Sequence, residues 1–201
     1  MIIPKTRVKI CGLTNGEDVN WAVRYGADAL GFILVPSRRY VEPEHVRQMI
    51  VHVPAFISTV GVFMDQPFDE VKAAAELAGV DLIQLHGDED PEYCSKIGKR
   101  VIKRIKVTDE DTRDSLIQKM KPYSVAAYLL DKGAGSGELF DWHIAHQIPY
   151  PVIVAGGLTP ANVKEVVQLL HPYGVDVSSG VEKELRKKDE NLIQTFIKEA
   201  G

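Results

Sequence analysis

The chain contains a short apolar run that ends in two glycines and continues into a segment led by proline: Val152-Ile153-Val154-Ala155-Gly156-Gly157-Leu158-Thr159-Pro160. A short run rich in β-branched residues predicts a buried strand, and proline after a capping threonine predicts the first turn of a helix. This order of strand and helix recurs along the chain at a spacing of roughly 20 to 30 residues. Such a rhythm is typical of a parallel sheet built from βα units.

Eight strands and eight helices fit this rhythm. The predicted strands are 7–11, 29–34, 58–63, 81–86, 101–107, 125–131, 152–155 and 174–178. The predicted helices are 17–25, 43–52, 67–78, 91–97, 110–120, 141–146, 160–170 and 189–200. Eight alternating units predict a (β/α)8 TIM barrel, and a length of 201 residues predicts a single compact domain over residues 1–201 with short loops.

Chemically reactive side chains stand where the predicted strands end. Cys11 ends the first strand, His86 the fourth, Asp131 the sixth and Ser178 the eighth. In (β/α)8 barrels the carboxyl ends of the strands and the loops after them build the active site. The sequence therefore predicts that these groups converge on one rim of the barrel.

The composition limits the kinds of partner. A formal net charge of -4 lacks the concentrated basic surface of a nucleic-acid-binding protein, and no apolar run is long enough to span a bilayer. Residues 1–7 contain no apolar signal core, and Cys11 and Cys94 are too far apart to form a metal or redox motif. We therefore expect a cytoplasmic protein that binds a small molecule, without nucleic acid, membrane or metal ion as partner.

Short segments spread over the whole chain together resemble one enzyme family. They are Lys9-Ile10-Cys11-Gly12-Leu13-Thr14, Ser37-Arg38-Arg39-Tyr40, Gln84-Leu85-His86-Gly87-Asp88, Leu129-Leu130-Asp131, Gly135-Ser136-Gly137, Phe140-Asp141-Trp142, Ala155-Gly156-Gly157-Leu158 and Asp176-Val177-Ser178-Ser179-Gly180-Val181-Glu182. In this order and combination they resemble phosphoribosylanthranilate isomerase, a family of (β/α)8 barrels that acts in tryptophan biosynthesis.

The resemblance implies an Amadori rearrangement of N-(5-phospho-β-D-ribosyl)anthranilate to 1-(2-carboxyphenylamino)-1-deoxy-D-ribulose 5-phosphate, without a cofactor. An acid protonates the furanose ring oxygen, so that the ring opens to a Schiff base. A base then removes the proton from the sugar C2 carbon, and the resulting enolamine tautomerises to the ketone. One acid and one base are sufficient for this chemistry.

The resemblance implies that Cys11 is the general base and Asp131 the general acid. A thiol with an ordinary pKa of about 8.5 needs only a modest electropositive surrounding to be partly ionised near neutral pH. An aspartic acid must instead keep its proton there, which requires partial desolvation or a neighbouring negative charge. Without the resemblance, Cys11 is more typical of inert packing, as we expect for Cys94, and Asp131 is equally compatible with a loop cap.

Three further residues are implied to contact the substrate. Arg39 corresponds to the arginine that holds the anthranilate carboxylate, a role suited to a planar guanidinium, although Arg38 is its alternative and a solvated loop is the alternative for both. His86 is implied to be a wall residue of the active site, and a hydrogen-bonded structural histidine is the alternative. Asp176 is either a polar group near the reacting sugar or a buried carboxylate with its hydrogen bonds satisfied.

Two loops predict a phosphate site. Gly156 and Gly157 follow the seventh strand, and Ser178, Ser179 and Gly180 follow the eighth. Both loops offer backbone N–H groups without bulky side chains, and barrels often hold phosphate between these two positions. Either loop alone would be an ordinary turn or helix cap, but their joint occurrence indicates a site for the phosphate group.

Two segments depart from the family pattern. Residues 182–189 lack the glycine that the family usually carries before its Lys-Asp pair, and a residue other than glycine disfavours positive φ. We therefore expect a more helical turn there, with Arg186, Lys187 and Lys188 solvated rather than near the phosphate. In loop 133–137, which we expect beside the active site, Ala134 stands where a glycine is common.

Two other functions fit parts of the pattern. Another phosphate-binding barrel isomerase or lyase would share the two phosphate loops without pairing Cys11 with Asp131. A noncatalytic phosphosugar-binding protein would keep the loops while losing the acid or the base. Because the chain retains both, the sequence predicts an isomerase that acts on a phosphosugar-anthranilate substrate, as a monomer or a homodimer.

Overall fold

Eight parallel strands follow one another in chain order and close into a barrel in the computed structural model, which describes residues 5–133 and 139–201. The strands are β1 (Arg7–Ile10), β2 (Ala29–Ile33), β3 (Ser58–Phe63), β4 (Leu82–Leu85), β5 (Arg100–Lys106), β6 (Ala127–Asp131), β7 (Val152–Val154) and β8 (Gly174–Val177). β1 pairs with β8, from Arg7 beside Gly174 to Ile10 beside Val177, and this pairing closes the ring. The predicted (β/α)8 barrel is confirmed.

Seven α-helices in the described part of the chain alternate with these strands. They are α1 (Gly16–Tyr25), α2 (Pro43–Ile50), α3 (Phe68–Ala78), α4 (Pro91–Lys96), α5 (Arg113–Met120), α6 (Val163–Leu170) and α7 (Glu190–Ala200). Capping side chains accept backbone N–H groups at the start of four helices: Asn15, Asp90, Thr112 and Asp189. These caps fix where the helices begin. Over residues 5–133 and 139–201, no helix combines the length and the apolar character needed to cross a lipid bilayer.

Three of the predicted helices differ from the structure. Helix α5 begins at Arg113 instead of residue 110, where Thr112 caps it. Segment 141–146 forms only a short 3₁₀ helix, Trp142–Ala145, because His146 returns to an extended conformation. Helix α6 begins at Val163 instead of residue 160. The side chain of Asn162 accepts the N–H of Thr159 at 2.8 Å, so the predicted first turn is a tight loop ahead of the helix.

The barrel interior changes from apolar to polar along its axis. An apolar cluster fills the interior, formed by Val60, Leu82, Ile102, Ala127, Leu129, Ile153 and Ala155. Further along the same inward-facing rows lie buried polar side chains, namely Lys9, Gln84, Arg104, Asp131 and Asp176. Because alternate residues of a strand face the same side, these polar groups stand directly above the apolar layer, towards the carboxyl ends of the strands.

Residues 182–189 form an antiparallel hairpin rather than a helical turn. Its strands are β9 (Glu182–Glu184) and β10 (Lys187–Lys188), and Arg186 between them adopts a φ of 72°. Two contacts hold this conformation: Thr14 Oγ1 donates to the carbonyl oxygen of Arg186 at 2.8 Å, and the guanidinium of Arg186 donates to the backbone of Arg38 at 3.2 Å. The prediction of a helical turn was wrong because these contacts outweigh the preference of a non-glycine residue for negative φ.

Candidate active site

A cavity of about 590 Å³ opens at the carboxyl end of the barrel. Its wall contains every residue that the sequence placed in the site: Cys11, Arg38, Arg39, His86, Asp131, Gly156, Gly157, Asp176, Ser178, Ser179 and Gly180. They converge because parallel strands of a closed barrel end at the same rim. Gly133 also lines the cavity, whereas residues 134–137 of the predicted glycine loop, Ala134 among them, lie outside the described residues. A cavity of this volume suits a small-molecule ligand.

Cys11 lies directly after β1 and is buried, with 6% of its surface exposed. Its N–H donates to the carbonyl oxygen of Val177 at 2.8 Å, so the closure of the barrel fixes its backbone. Burial raises the pKa of the Cys11 thiol. The ammonium groups of Lys9 and Lys188 oppose this rise in pKa, and the carboxylate of Asp176 adds to it. Burial therefore outweighs the nearby cations in its effect on the thiol. The partial ionisation that a general base requires stays a prediction.

Asp176 is a buried carboxylate that pairs with Lys9. Lys9 Nζ donates to Asp176 Oδ1 at 2.8 Å, and the two side chains are 4% and 10% exposed. The structure thus combines the two alternatives for Asp176, because its carboxylate has a hydrogen-bond partner in Lys9 and also lines the cavity. Burial acts to lower the pKa of Lys9, but the charges and hydrogen bonds of Asp176 and Cys11 outweigh burial and raise it. The pair therefore places a charged ammonium group beside the thiol.

Asp131 ends β6 and is 6% exposed. Its Oδ2 lies 3.4 Å from Nε2 of His86, and its Oδ1 accepts the N–H of Gly133 at 3.2 Å. On the other side of the imidazole, Nδ1 of His86 lies 3.2 Å from Nε2 of Gln84. The other amide atom, Gln84 Oε1, is buried and has no hydrogen-bond partner among the described residues. This wall thus combines a carboxyl group and an imidazole, which can hold or transfer a proton, with a buried amide oxygen that can accept a hydrogen bond.

Arg39 forms a two-pronged ion pair with Glu182. Its Nε and Nη2 donate to the two carboxylate oxygens at 2.7 and 2.6 Å. These hydrogen bonds to Glu182 raise the pKa of Arg39, so the guanidinium remains charged. Burial acts to raise the pKa of Glu182, but Arg39 and Lys188 outweigh burial and lower it. Arg38 is exposed and also lines the cavity, so both candidate arginines are at the site.

Lys188 is fully buried, which contradicts the prediction that it is solvated. Its Nζ donates to the carbonyl oxygen of Ser178 at 2.9 Å and to Oε1 of Glu182 at 3.1 Å. Burial lowers the pKa of Lys188, against the opposing effect of Glu182. Arg186 and Lys187 are exposed as predicted. The side chain of Lys188 joins the hairpin to the loop after β8, a contact that is set by tertiary packing.

The two predicted phosphate loops are in contact with each other. Gly156 and Gly157 adopt φ values of 82° and 63°, which favour glycine. A Cβ atom on Gly180 would overlap the carbonyl oxygen of Leu158, so the loop after β8 packs backbone against backbone on the loop after β7. Ser178 Oγ is buried without a hydrogen-bond partner among the described residues. The two loops therefore form a compact part of the cavity rim, where the hydroxyl group of Ser178 is available for a further hydrogen bond.

Four polar residues at this site were missed as contributors by the sequence analysis: Lys9, Gln84, Glu182 and Lys188. A lysine within the apolar run Val8-Lys9-Ile10 was a usable signal, because a charge on the inner face of a barrel strand requires a buried partner. Lys188 gave no such signal, because it stands in a run of charged residues, and such a run is typical of a solvated surface. Its burial depends on the hairpin, whose conformation was predicted wrongly.

The whole chain matches one family of enzymes. A family model described as N-(5'phosphoribosyl)anthranilate (PRA) isomerase matches residues 8–199. The chain belongs to this family. A curated phosphoribosylanthranilate isomerase from Geobacter metallireducens is 45% identical over 202 residues, which cover 96% of this chain and 98% of that protein. The sequence-based recognition of the family is confirmed.

Solved structures of phosphoribosylanthranilate isomerases share the architecture. The isomerase from Thermus thermophilus superposes with a TM-score of 0.89 at 38% identity, covering 96% of this chain and 98% of that chain. An isomerase solved in complex with reduced 1-(o-carboxyphenylamino)-1-deoxyribulose 5-phosphate has a TM-score of 0.85 at 37% identity, covering 97% and 98%. Membership of the phosphoribosylanthranilate isomerase family makes this chain an isomerase.

Proposed function

We propose that Cys11 and Asp131 are the base and the acid with which this isomerase converts N-(5-phospho-β-D-ribosyl)anthranilate into 1-(2-carboxyphenylamino)-1-deoxy-D-ribulose 5-phosphate in L-tryptophan biosynthesis. One observation carries the assignment: the two side chains stand at the ends of different strands, β1 and β6, and line the same cavity. Both are buried, so a substrate that fills the cavity meets them away from bulk water.

The chemistry needs one proton transfer at each residue, from Asp131 and to Cys11. The Asp131 carboxyl group gives its proton to the furanose ring oxygen, the ring C–O bond breaks, and a Schiff base forms. His86, 3.4 Å away, stands where it can stabilise the carboxylate that remains. The Cys11 thiolate then takes the proton from C2, and the electron pair of the C–H bond forms the enolamine, which tautomerises to the ketone.

The phosphate group binds, in this proposal, between the loops after β7 and β8. Gly156 and Gly157 at positive φ, together with Ser179 and Gly180, offer backbone N–H groups at a rim free of bulky side chains. The hydroxyl of Ser178 is buried at the cavity and unpaired within the described residues, so it supplies one further donor. Lys188 supports this rim through its hydrogen bond to the carbonyl oxygen of Ser178.

Arg39 is the proposed partner of the anthranilate carboxylate. Its ion pair with Glu182 uses Nε and Nη2, which leaves donors of the five-donor guanidinium for a second carboxylate. Glu182 fixes the plane of the guanidinium, and a fixed plane suits two parallel hydrogen bonds. Arg38 is the alternative because it is exposed on the same wall.

The proposal extends to the setting of the reaction. We expect residues 1–201 to act as one catalytic domain, because the strands from β1 to β8 form a single ring. The cytoplasm is the proposed location. A monomer and a homodimer are both consistent with a complete cavity in one chain. A solved relative is described as generated monomers of the dimeric isomerase from Thermotoga maritima. The mass of the purified protein in solution distinguishes them.

The decisive experiment follows the loss of anthranilate-type fluorescence when the purified protein meets phosphoribosylanthranilate generated in situ. The unsubstituted protein should abolish the signal rapidly, whereas Cys11→Ala and Asp131→Asn should each lower turnover about 10²- to 10⁴-fold. Cys94→Ala is the matched control, because Cys94 is equally buried but lies on α4 outside the cavity. Near-normal turnover in either site variant would contradict its assignment.

A noncatalytic phosphosugar-binding protein is the alternative from another class. It would retain the product analogue in the same cavity without consuming the substrate. Calorimetric titration with the reduced product analogue, run beside the turnover assay, separates binding without catalysis from the proposed reaction. Binding with no loss of fluorescence in a folded, unsubstituted protein would contradict the proposal.

A further inference from the structure

Lys9 and Cys11 share the space above Gly31. A Cβ atom on Gly31 would come within 2.8 Å of Cys11 Sγ and 2.9 Å of Lys9 Nζ. Only a residue without a side chain therefore lets the thiol and the ammonium group meet over β2. Lys9 and Cys11 are two positions apart at the end of β1, and alternate residues face the same side of a sheet, so both point into the barrel.

Asp176 anchors the ammonium group in this position. Its Oδ1 accepts from Lys9 Nζ at 2.8 Å across the pairing of β1 with β8. The Lys9 side chain is 4% exposed, and an unpaired ammonium group at such a depth would tend to release its proton. The carboxylate of Asp176 therefore keeps Lys9 in its charged form.

The charged groups that act on Cys11 come from four places in the fold. They are Lys9 on β1, Asp176 on β8, Lys188 on β10 and Arg39 in the segment after β2. Arg39 and Lys188 are both paired with Glu182, which offsets part of their charge. After burial, Lys9 has the largest effect on the pKa of the thiol, which it lowers. Lys9 is thus the cation best placed to counter the cost of ionising a buried thiol.

We propose that Lys9 is a positioning residue for the isomerase reaction, whose ammonium group, anchored by Asp176 over Gly31, is the counter-ion of the Cys11 thiolate. This inference rests on the proposed role of Cys11 as general base. The thiolate takes the C2 proton and becomes a thiol, whereas Lys9 keeps its own proton throughout. Asp176 then acts on the base through Lys9, without a direct part in the proton transfers.

The test removes the charge of Lys9 and keeps a hydrogen-bond donor for Asp176. Lys9→Gln retains N–H donors for Asp176, and a Cys94→Ser background leaves Cys11 as the one thiol that titrates. Ultraviolet thiolate absorbance then follows the ionisation of Cys11, and kcat/KM is measured across the same pH range. We expect both the thiol titration and the rising limb of kcat/KM to move to higher pH. Activity at neutral pH should fall about tenfold for each unit of this shift, mainly through kcat.

Lys103 provides the matched control. Its ion pair with Glu89, at 2.7 Å with side chains 2% and 3% exposed, is as buried as that of Lys9, but it is not among the charges that act on Cys11. Lys103→Gln should therefore leave the thiol titration and the rising limb in place, even where it lowers stability. An unchanged titration in Lys9→Gln, or an equal shift in Lys103→Gln, would overturn the proposal.

A second variant keeps the test decisive if Lys9→Gln does not fold. Lys9→Met combined with Asp176→Asn removes both charges and leaves no unpaired ion in the interior. Because Lys9 affects the thiol more strongly than Asp176 does, the titration should still move to higher pH. The thiol titration needs no turnover. A protein that titrates as expected but shows no isomerase activity would therefore contradict the proposed function and not the coupling between Lys9 and Cys11.

Discussion

The Nε2 atom of His86 lies 3.4 Å from Oδ2 of Asp131, over the end of the strand that separates them. His86 follows β4 and Asp131 ends β6, so the contact spans β5. From β5, the guanidinium of Arg104 donates to the carbonyl oxygen of His86 at 3.3 Å and steadies the backbone there. The position of the proposed acid is therefore set by three neighbouring strands.

His86→Ala should lower kcat about tenfold, which is less than the loss expected for Asp131→Asn. The imidazole orients the carboxyl group and excludes water from it, but it does not itself give the proton to the ring oxygen in the proposed mechanism. Steady-state turnover of phosphoribosylanthranilate, followed by fluorescence, measures both variants.

The double variant tests whether His86 acts through Asp131. In an Asp131→Asn background, His86→Ala should cause little further loss, because residues that act as one unit are not additive. A loss in the double variant equal to the product of the two single losses would show that the imidazole has an independent role.

Arg39→Ala should raise KM strongly and leave kcat less affected, because the guanidinium holds the nonreacting carboxylate of the substrate. Arg38→Ala is the matched control, one position earlier in the same cavity wall and exposed to solvent. We expect a rise in KM of about tenfold or more for Arg39→Ala and little change for Arg38→Ala. The reverse ranking would move the carboxylate contact to Arg38.

Gly180→Ala should weaken phosphate binding, because the added Cβ overlaps the carbonyl oxygen of Leu158 and forces the two loops apart. Overpacking of this kind costs about 1–3 kcal/mol of stability, and KM should rise together with the inhibition constant of inorganic phosphate. Gly16→Ala is the control, because its Cβ would meet no atom within 4 Å. Unchanged phosphate inhibition in Gly180→Ala would place the phosphate elsewhere.

Asp111→Asn should lower the free energy of unfolding at neutral pH. Burial acts to raise the pKa of Asp111, but hydrogen bonds from Lys119, Ser115 and Thr108 outweigh burial and lower it to about 2. A pKa below its unfolded value means that the carboxylate contributes stability above about pH 4, and that this contribution is lost as the pH falls towards about 2. We expect a loss of about 1 kcal/mol at neutral pH, limited by the exposure of Lys119.

Denaturant unfolding over a range of pH measures this contribution. The difference between the unsubstituted protein and Asp111→Asn should shrink as the solution becomes more acidic. Asp114→Asn is the control, since that carboxylate is 88% exposed and should change stability by less than about 0.5 kcal/mol. A difference that stays constant with pH would show that the Asp111 carboxylate is not the titrating group.

The sequence predicted the barrel and the cavity-lining residues because both follow from local signals. The carboxyl ends of β1, β4, β6, β7 and β8 could be read from apolar runs, and a closed parallel ring carries every strand end to the same rim. Strand boundaries agree to within about two residues, which is the usual precision of such signals. The start of α6 was missed because Asn162, and not Thr159, occupies the capping position.

What could not be predicted depends on contacts between residues far apart in sequence. Arg186 adopts positive φ because Thr14 and Arg38 bind its backbone and side chain, and neither partner is visible from the run of charges around it. The same hairpin buries Lys188 against Ser178. The raised pKa of the Cys11 thiol likewise follows from its depth in the assembled barrel, which no local pattern reveals.

The pairing of β1 with β8 also governs when the enzyme becomes competent during its own synthesis. Lys9 and Asp176 are 167 residues apart, and the backbone of Cys11 is fixed by Val177. A ribosome therefore synthesises the proposed general base long before Asp176, which anchors Lys9, and contacts of such long range are slow to form. Until β8 is in place, neither the hydrogen bond from Cys11 to Val177 nor the ion pair of Lys9 with Asp176 can form, so the proposed base lacks both supports.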